Sequence, residues 1–229
     1  MAEPLTSSRA LPVPHPRVPA ALVIRALLAC ALLASALLAG CGGERLRDLY
    51  FALQPEVSVQ PSPRPIPGTL RVIPLTAQGF VAGDRIVYRT AQEPLQVYRY
   101  AELLWEEPPA TAIANNLTAA LRAAGVFEHV VTAADPARAQ YLVTGELNRF
   151  EHRPTDNPPR VLAEMTLTLV RGQGRNVLVA RNYAGEEPTA VGADGRTTPD
   201  AIVAAFNRLT GRLIGEVIAD AQRAAPRLQ

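Results

Sequence analysis

A thirteen-residue apolar run, Ala26–Leu38, that stops at Ala39-Gly40-Cys41 constrains this 229-residue chain more than any other feature. The run is shorter than the roughly 20 apolar residues a spanning helix needs, and Arg17 and Arg25 precede it. A positive stretch, a short apolar stretch and two small residues make a secretory signal, because small side chains let the extended chain enter a peptidase cleft. Cleavage between Gly40 and Cys41 leaves residues 41–229 to fold, with Cys41 first and its thiol the nucleophile for a diacylglyceryl group. Cys30 leaves with the signal and Cys41 is consumed, so the folding chain keeps no thiol. Disulfides, thiol catalysis and cysteine-ligated metal sites are thereby excluded. The core must come from packing alone.

Leu38-Ala39-Gly40-Cys41 is similar to the lipobox of bacterial lipoproteins. Each buried methylene of an acyl chain contributes about 0.8 kcal/mol, and two or more chains give stable anchoring. The expected modification is therefore a covalent acyl and diacylglyceryl lipid on Cys41, palmitate among the chains, with no other cofactor. Gly42, not an aspartate, follows the cysteine, which favours the periplasmic face of the outer membrane. The formal charge of +2 belongs to the signal: Arg9, Arg17, Arg25 and Glu3 depart with it, leaving 20 arginines against 20 acidic residues and no lysine. A neutral balance removes the electrostatic footprint of nucleic-acid binding.

The expected organisation is a signal over 1–40, a lipidated N-terminus with a first strand and proline-rich segment over 41–68, and one folded domain over 69–229. Tyr50–Leu53 reads as that first strand, ended by Pro55. Pro55, Pro61, Pro63, Pro65 and Pro67 forbid a helix or a central strand and keep the next stretch extended. Two geometries stay open. A docked first strand leaves a tether of about six residues, reaching roughly 20 Å; an undocked one extends the tether through Pro67.

From Thr69 the pattern is one of short strands: Leu70–Ile73, Arg85–Arg89 and Leu95–Tyr100, the latter two alternating arginine with aliphatic or aromatic residues as in a sheet with one wet face. Pro108-Pro109 opens a helix with Ile113, Leu117, Leu121 and Ala124 on one side, closed by Gly125. A strand over 127–131 follows, then three longer ones over 140–153, 160–170 and 175–184, the last two joined at Gly172-Gln173-Gly174. Thr198 caps a closing helix that starts at Pro199 and carries Ile202, Phe206, Leu209, Leu213 and Val217. The predicted fold is α+β: a single mixed, mostly antiparallel sheet with two main helices packed on it.

Catalytic groups are few. His129 and His152 are the histidines that remain after cleavage, and neither has the serine, cysteine or carboxylate arrangement of a nucleophile pair. No nucleotide loop or metalloprotease motif is present, so neither an enzyme nor a metal site is expected. The segment from Tyr98 to Pro109 stands out in a chain with 5% aromatic residues and holds the single tryptophan. Tyr98, Tyr100, Trp105, Glu106 and Glu107 are its candidate partner contacts, since Trp and Tyr carry much of the energy of interfaces. The alternative is that Trp105 plugs the junction of sheet and helix.

Tyr50-Phe51-Ala52-Leu53-Gln54-Pro55, Arg85–Arg89, Tyr100-Ala101-Glu102 through Trp105 to Pro108-Pro109, the run Gln140–Phe150 and Ala205-Phe206-Asn207 together resemble the ABC-type transport auxiliary lipoproteins, which include the paraquat-inducible protein C type. The resemblance covers roughly residues 48–223. It implies a non-enzymatic outer-membrane partner of a lipid-transport system in which an ABC permease and ATPase work with mammalian-cell-entry (MCE) domain proteins. It also implies a homo-oligomeric ring receiving the end of an MCE tunnel. The competing expectation is a stand-alone envelope lipoprotein that binds a small apolar ligand or assists envelope assembly.

Overall fold

The computed structural model describes residues 47–172 and 176–227. The signal, Gly40 and Cys41 lie outside them. In chain order the described elements are β1 (Leu49–Phe51), β2 (Ile66–Val72), β3 (Thr76–Ala77), a 3-10 turn (Gly79–Ala82), β4 (Arg85–Tyr88), β5 (Tyr98–Trp105), α1 (Pro109–Ala124), β6 (Phe127–Thr132), β7 (Tyr141–Arg153), β8 (Arg160–Arg171), β9 (Asn176–Pro188) and α2 (Pro199–Ala224).

The helices form where the sequence places their ends. Pro109 occupies the first turn of α1 and Gly125 closes it at φ 57°, a left-handed value that glycine adopts without a Cβ penalty. Thr198 Oγ1 accepts from the Ala201 N–H at 3.2 Å and caps α2, with Pro199 pre-set for the first turn.

The sheet is organised around the long strand β7. Along one edge β7 pairs antiparallel with β8 over its whole length, and β8 pairs in turn with β9. Along the other edge it takes three parallel partners in succession: β2 opposite Tyr141–Val143, β3 opposite Glu146-Leu147, and β4 opposite Glu151-His152. β6 then extends β2, while β5 and β1 extend β4. The sheet is mixed, its longest ladders are antiparallel, and it curls into a half-barrel around the helices. One residue permits the curl's tightest approach: a Cβ on Gly145 would lie 2.2 Å from the Thr166 carbonyl, so only glycine fits where β7 and β8 close on each other.

The concave side is filled by both helices. Ile113, Leu117 and Leu121 of α1 meet Ile202, Phe206, Leu209, Leu213 and Val217 of α2 over Leu70, Leu147, Phe150, Val161 and Met165, all buried. Each such side chain contributes about 1.5–3 kcal/mol on leaving water.

The proline-rich segment differs from the expected boundary. β2 begins at Ile66, which is fully buried, and the stretch before it straps over the helices. Asn116 Nδ2 donates to the Leu53 carbonyl at 2.9 Å, the Gln54 N–H to Asn207 Oδ1 at 2.7 Å, and Gln222 Nε2 to the Gln60 carbonyl at 2.8 Å. Gly211 is small because the strap crosses it: an added Cβ would sit 2.3 Å from the Glu56 carbonyl. Arg47 onward is thus one compact unit with no division at residue 69. Of the two open tether geometries, the docked first strand is the one observed, with Phe51 opposite Trp105.

Candidate interaction site

β5 presents its aromatic residues to two different environments. Trp105 is 2% exposed, its ring 5.6 Å from Phe150 and 5.4 Å from Phe206, which stack on each other at 4.3 Å. Its expected role as a partner contact is therefore corrected. Paired with Phe51 of β1 and covered by α2, the indole presents no surface, and its place is the junction of sheet and helices. Glu106, which follows, is exposed, and its N–H donates to the Phe51 carbonyl at 2.8 Å. Glu107 is half-buried and accepts from Asn115 Nδ2 at 3.2 Å.

At the other end of β5, three tyrosines form a ladder. Tyr98 stacks on Tyr88 at 5.2 Å, and Tyr88 lies 4.5 Å from Tyr100. The Tyr98 hydroxyl donates to the Glu93 carboxylate and sits 2.5 Å from Gln96 Oε1. These contacts brace the β4–β5 tip from its own strands. A further bond ties the tip to the β7–β8 turn, as the Ala91 N–H donates to Thr155 Oγ1 at 2.7 Å. On this braced tip Leu95 is 92% exposed. Nearby on β5, the Arg99 guanidinium lies 4.2 Å over the Phe80 ring, itself exposed.

The inner end of the ladder is polar and closed. The Tyr100 hydroxyl is 2.7 Å from His152 Nδ1, and His152 is 1% exposed with no partner for Nε2 among the described residues. Burial pushes the His152 pKa down to about 4 and the Tyr100 hydroxyl up, so both are neutral at pH 7. The adjacent Glu151 is 2% exposed and holds three arginines: Arg89 at 2.8 Å, Arg149 at 2.7 Å and Arg153 at 2.9 Å. Burial alone would raise the Glu151 pKa, but hydrogen bonds from Arg149 and Arg89 outweigh it and hold the carboxyl below its ordinary value.

Among the described residues His152 lacks a nucleophile partner, as in the sequence, and Glu151 beside it is a structural ion-pair centre. The spacing carries a signal for this cluster, since Arg149, Glu151 and Arg153 share one side of β7 while His152 takes the other. His129 is exposed on β6 and stands far in sequence from any comparable cluster.

A third polar group lies at the edge of the core. Tyr183 Oη donates to Asp220 Oδ2 at 3.0 Å, and Arg181 and Arg223 pair with the same carboxylate. Beneath it a void of about 40 Å³ is walled by Leu70, Leu121, Phe127, Leu169 and Val217. A wide depression of about 740 Å³ lies between the strap at Gln60–Arg64 and the end of α2. Among the described residues there is no group of three or more metal-ligating side chains, and no helix long and apolar enough to cross a membrane.

A curled mixed sheet sheltering two helices, with a strap leading in from the N-terminus, defines the class of fold. Residues 51–218 match the model of the ABC-type transport auxiliary lipoprotein component family, and the chain belongs to that family. Its members are envelope lipoproteins. Among solved structures, protein XCC0632 from Xanthomonas campestris, of family DUF330, is similar at TM-score 0.66 and 20% identity, covering 78% of this chain and 97% of that one. A second structure, of an uncharacterized protein, is similar at TM-score 0.51 and 17% identity over 80% and 99% of the two chains. At these identities the likeness is one of fold. A comparison with curated proteins found no match.

Proposed function

We propose that this chain is a lipid-anchored periplasmic component of an MCE-type ABC transport system, docking the transporter at the outer membrane and assisting intermembrane phospholipid transport. The observation that carries this reading is the family match over 51–218 on a domain whose first strand starts eight residues after Cys41. With β1 docked at Leu49, acylated Cys41 holds the domain within roughly 27 Å of the leaflet. The chain works by placement and contact, not by catalysis, with no cofactor beyond its lipid. ATP hydrolysis belongs to the permease-associated ATPase, and a homo-oligomeric ring is the assembly that meets the MCE protein.

The contact surface proposed on this chain is the braced tip with Leu95 and Tyr98. Its rigidity lowers the ordering cost of binding. The stand-alone apolar-ligand reading is the weaker one, because the apolar void of about 40 Å³ is far smaller than an acyl chain and the wide depression beside the strap has Arg64, Gln222 and Arg223 on its walls.

The test is mass spectrometry of a native-membrane pull-down with the intact lipoprotein. An MCE-domain protein, permease and ATPase should co-purify, and intact mass should show acylated Cys41 at the N-terminus. Recovery of the acylated protein without any of these partners overturns the docking reading. Cys41→Ala should remain unprocessed and leave the outer-membrane fraction; normal fractionation of that variant overturns the anchor.

A further inference from the structure

The sheet ends at β9, whose far edge meets no strand among the described residues. An exposed edge of this length is a template for pairing unless something covers it. The structure shows which part is covered. From Leu169↔Val179 to Arg160↔Pro188 the register with β8 is unbroken, and just beyond it the Thr189 N–H donates to the Pro159 carbonyl at 2.8 Å. Odd-numbered residues therefore bond toward β8, and even-numbered ones turn their N–H and C=O outward.

Two outward carbonyls are occupied from within. Arg212 Nη2 donates to the Glu186 carbonyl at 2.8 Å, and Arg208 Nη2 to that of Pro188 at 3.2 Å. At the opposite end a register shift between Leu169 and Val170 interrupts the ladder. Between these two devices lie Ala180, Asn182 and Ala184, all exposed, with three N–H and three C=O groups facing out.

We propose that this uncovered stretch pairs antiparallel with the same stretch of a second copy, about a two-fold axis at Asn182. The occupant follows from the register. Centred on Asn182, the three innermost pairs (Ala180 with Ala184, Asn182 with Asn182, Ala184 with Ala180) use only open groups. Moving the centre to Ala184 would call on the Glu186 carbonyl that Arg212 already holds, and moving it to Ala180 would run into the register shift.

The side chains agree with this centre. Small residues oppose each other at Ala180 and Ala184, Arg181 opposes Tyr183, and Glu186 and Glu187 oppose Leu178 and Val177, so no like charges face each other. Val177, 62% exposed, gains cover from the added strand. A two-fold contact uses one surface twice, whereas the contacts that close a ring join two different surfaces. The edge contact thus adds to whatever a ring builds, and it requires no transporter.

The experiment uses the full acylated protein in mild detergent. Light scattering should give at least two chains per particle, and Asn182→Cys under mild oxidation should form a disulfide-linked dimer, with peptide mass placing the link between the two substituted positions. Ala184→Pro removes only an outward N–H, so it should keep the native far-UV circular dichroism and halve the mass. A particle of one chain overturns the proposal, as does a folded Asn182→Cys protein that does not link through position 182. Should Ala184→Pro unfold, the cross-link decides alone. All of these readouts are independent of whether an MCE protein binds.

Discussion

The two ends of β5 carry aromatic residues seven positions apart and use them in opposite ways. Trp105 is sealed between Phe150 and Phe206 under α2, where its area drives packing. Tyr98 stands on a wet surface, held by Tyr88 and Glu93 beside an almost fully exposed Leu95. Between them Tyr100 and His152 form a buried polar joint that marks where the dry core stops. The lesson is that aromatic content along a strand does not locate an interface. What decides is which positions a second layer covers, and α2 covers one end of β5 only.

Trp105→Ala should show the largest effect, a loss of about 3–5 kcal/mol from the cavity and the lost transfer energy. In a chain of this size that lowers Tm by about 6–20 °C in a thermal melt. An unchanged melt would break the contrast outright.

Acid should act next, through the polar joint. His152 is buried neutral with a pKa near 4 against 6.5 when unfolded, so the unfolded chain takes up a proton first as pH falls. Stability is full above about pH 6.5 and declines toward pH 4, by about 3 kcal/mol in all. The lowered Glu151 carboxyl adds to the decline as pH falls through its own folded value. Denaturant midpoints measured between pH 7 and pH 4 should show this slope, and His152→Gln should flatten it.

Removing the carboxylate itself should cost somewhat less. Glu151→Ala strands three arginines, but their side chains are 17–38% exposed and regain water, so about 2 kcal/mol is expected from urea unfolding. Smallest of all is the wet end. Leu95→Ser and Tyr98→Phe should change stability by no more than about 0.5 kcal/mol, yet Leu95→Ser should reduce co-purification of transporter components. Equal recovery with Leu95→Ser would remove the tip from the contact surface.

Much of the fold is legible along the chain because its cues are local. Pro109 and Gly125, or Thr198 and Pro199, mark helix ends through backbone chemistry that neighbours in sequence supply. Period-2 alternation over β8 reports a strand with one covered face. The strap was harder to read, because prolines signal an extended chain but not what lies beneath it, and the contact that docks it pairs Glu56 with Gly211 across the whole domain. The site was legible in part. Arg149, Glu151 and Arg153 share a strand side by spacing alone, whereas the partners Arg89 and Tyr100 arrive from other strands.

By itself the sequence determined the class of secondary structure, both ends of α1, the start of α2 and a chain without a thiol beyond Cys41. Those properties depend on side-chain chemistry and on residues a few positions apart. Tertiary structure alone decided that Trp105 is core while Tyr98 is surface, that His152 is buried beside a tyrosine, and that the middle of β9 is left bare. Burial is a property of what packs on a residue from afar, and two strands of the same alternation differ once a helix lies over only one of them.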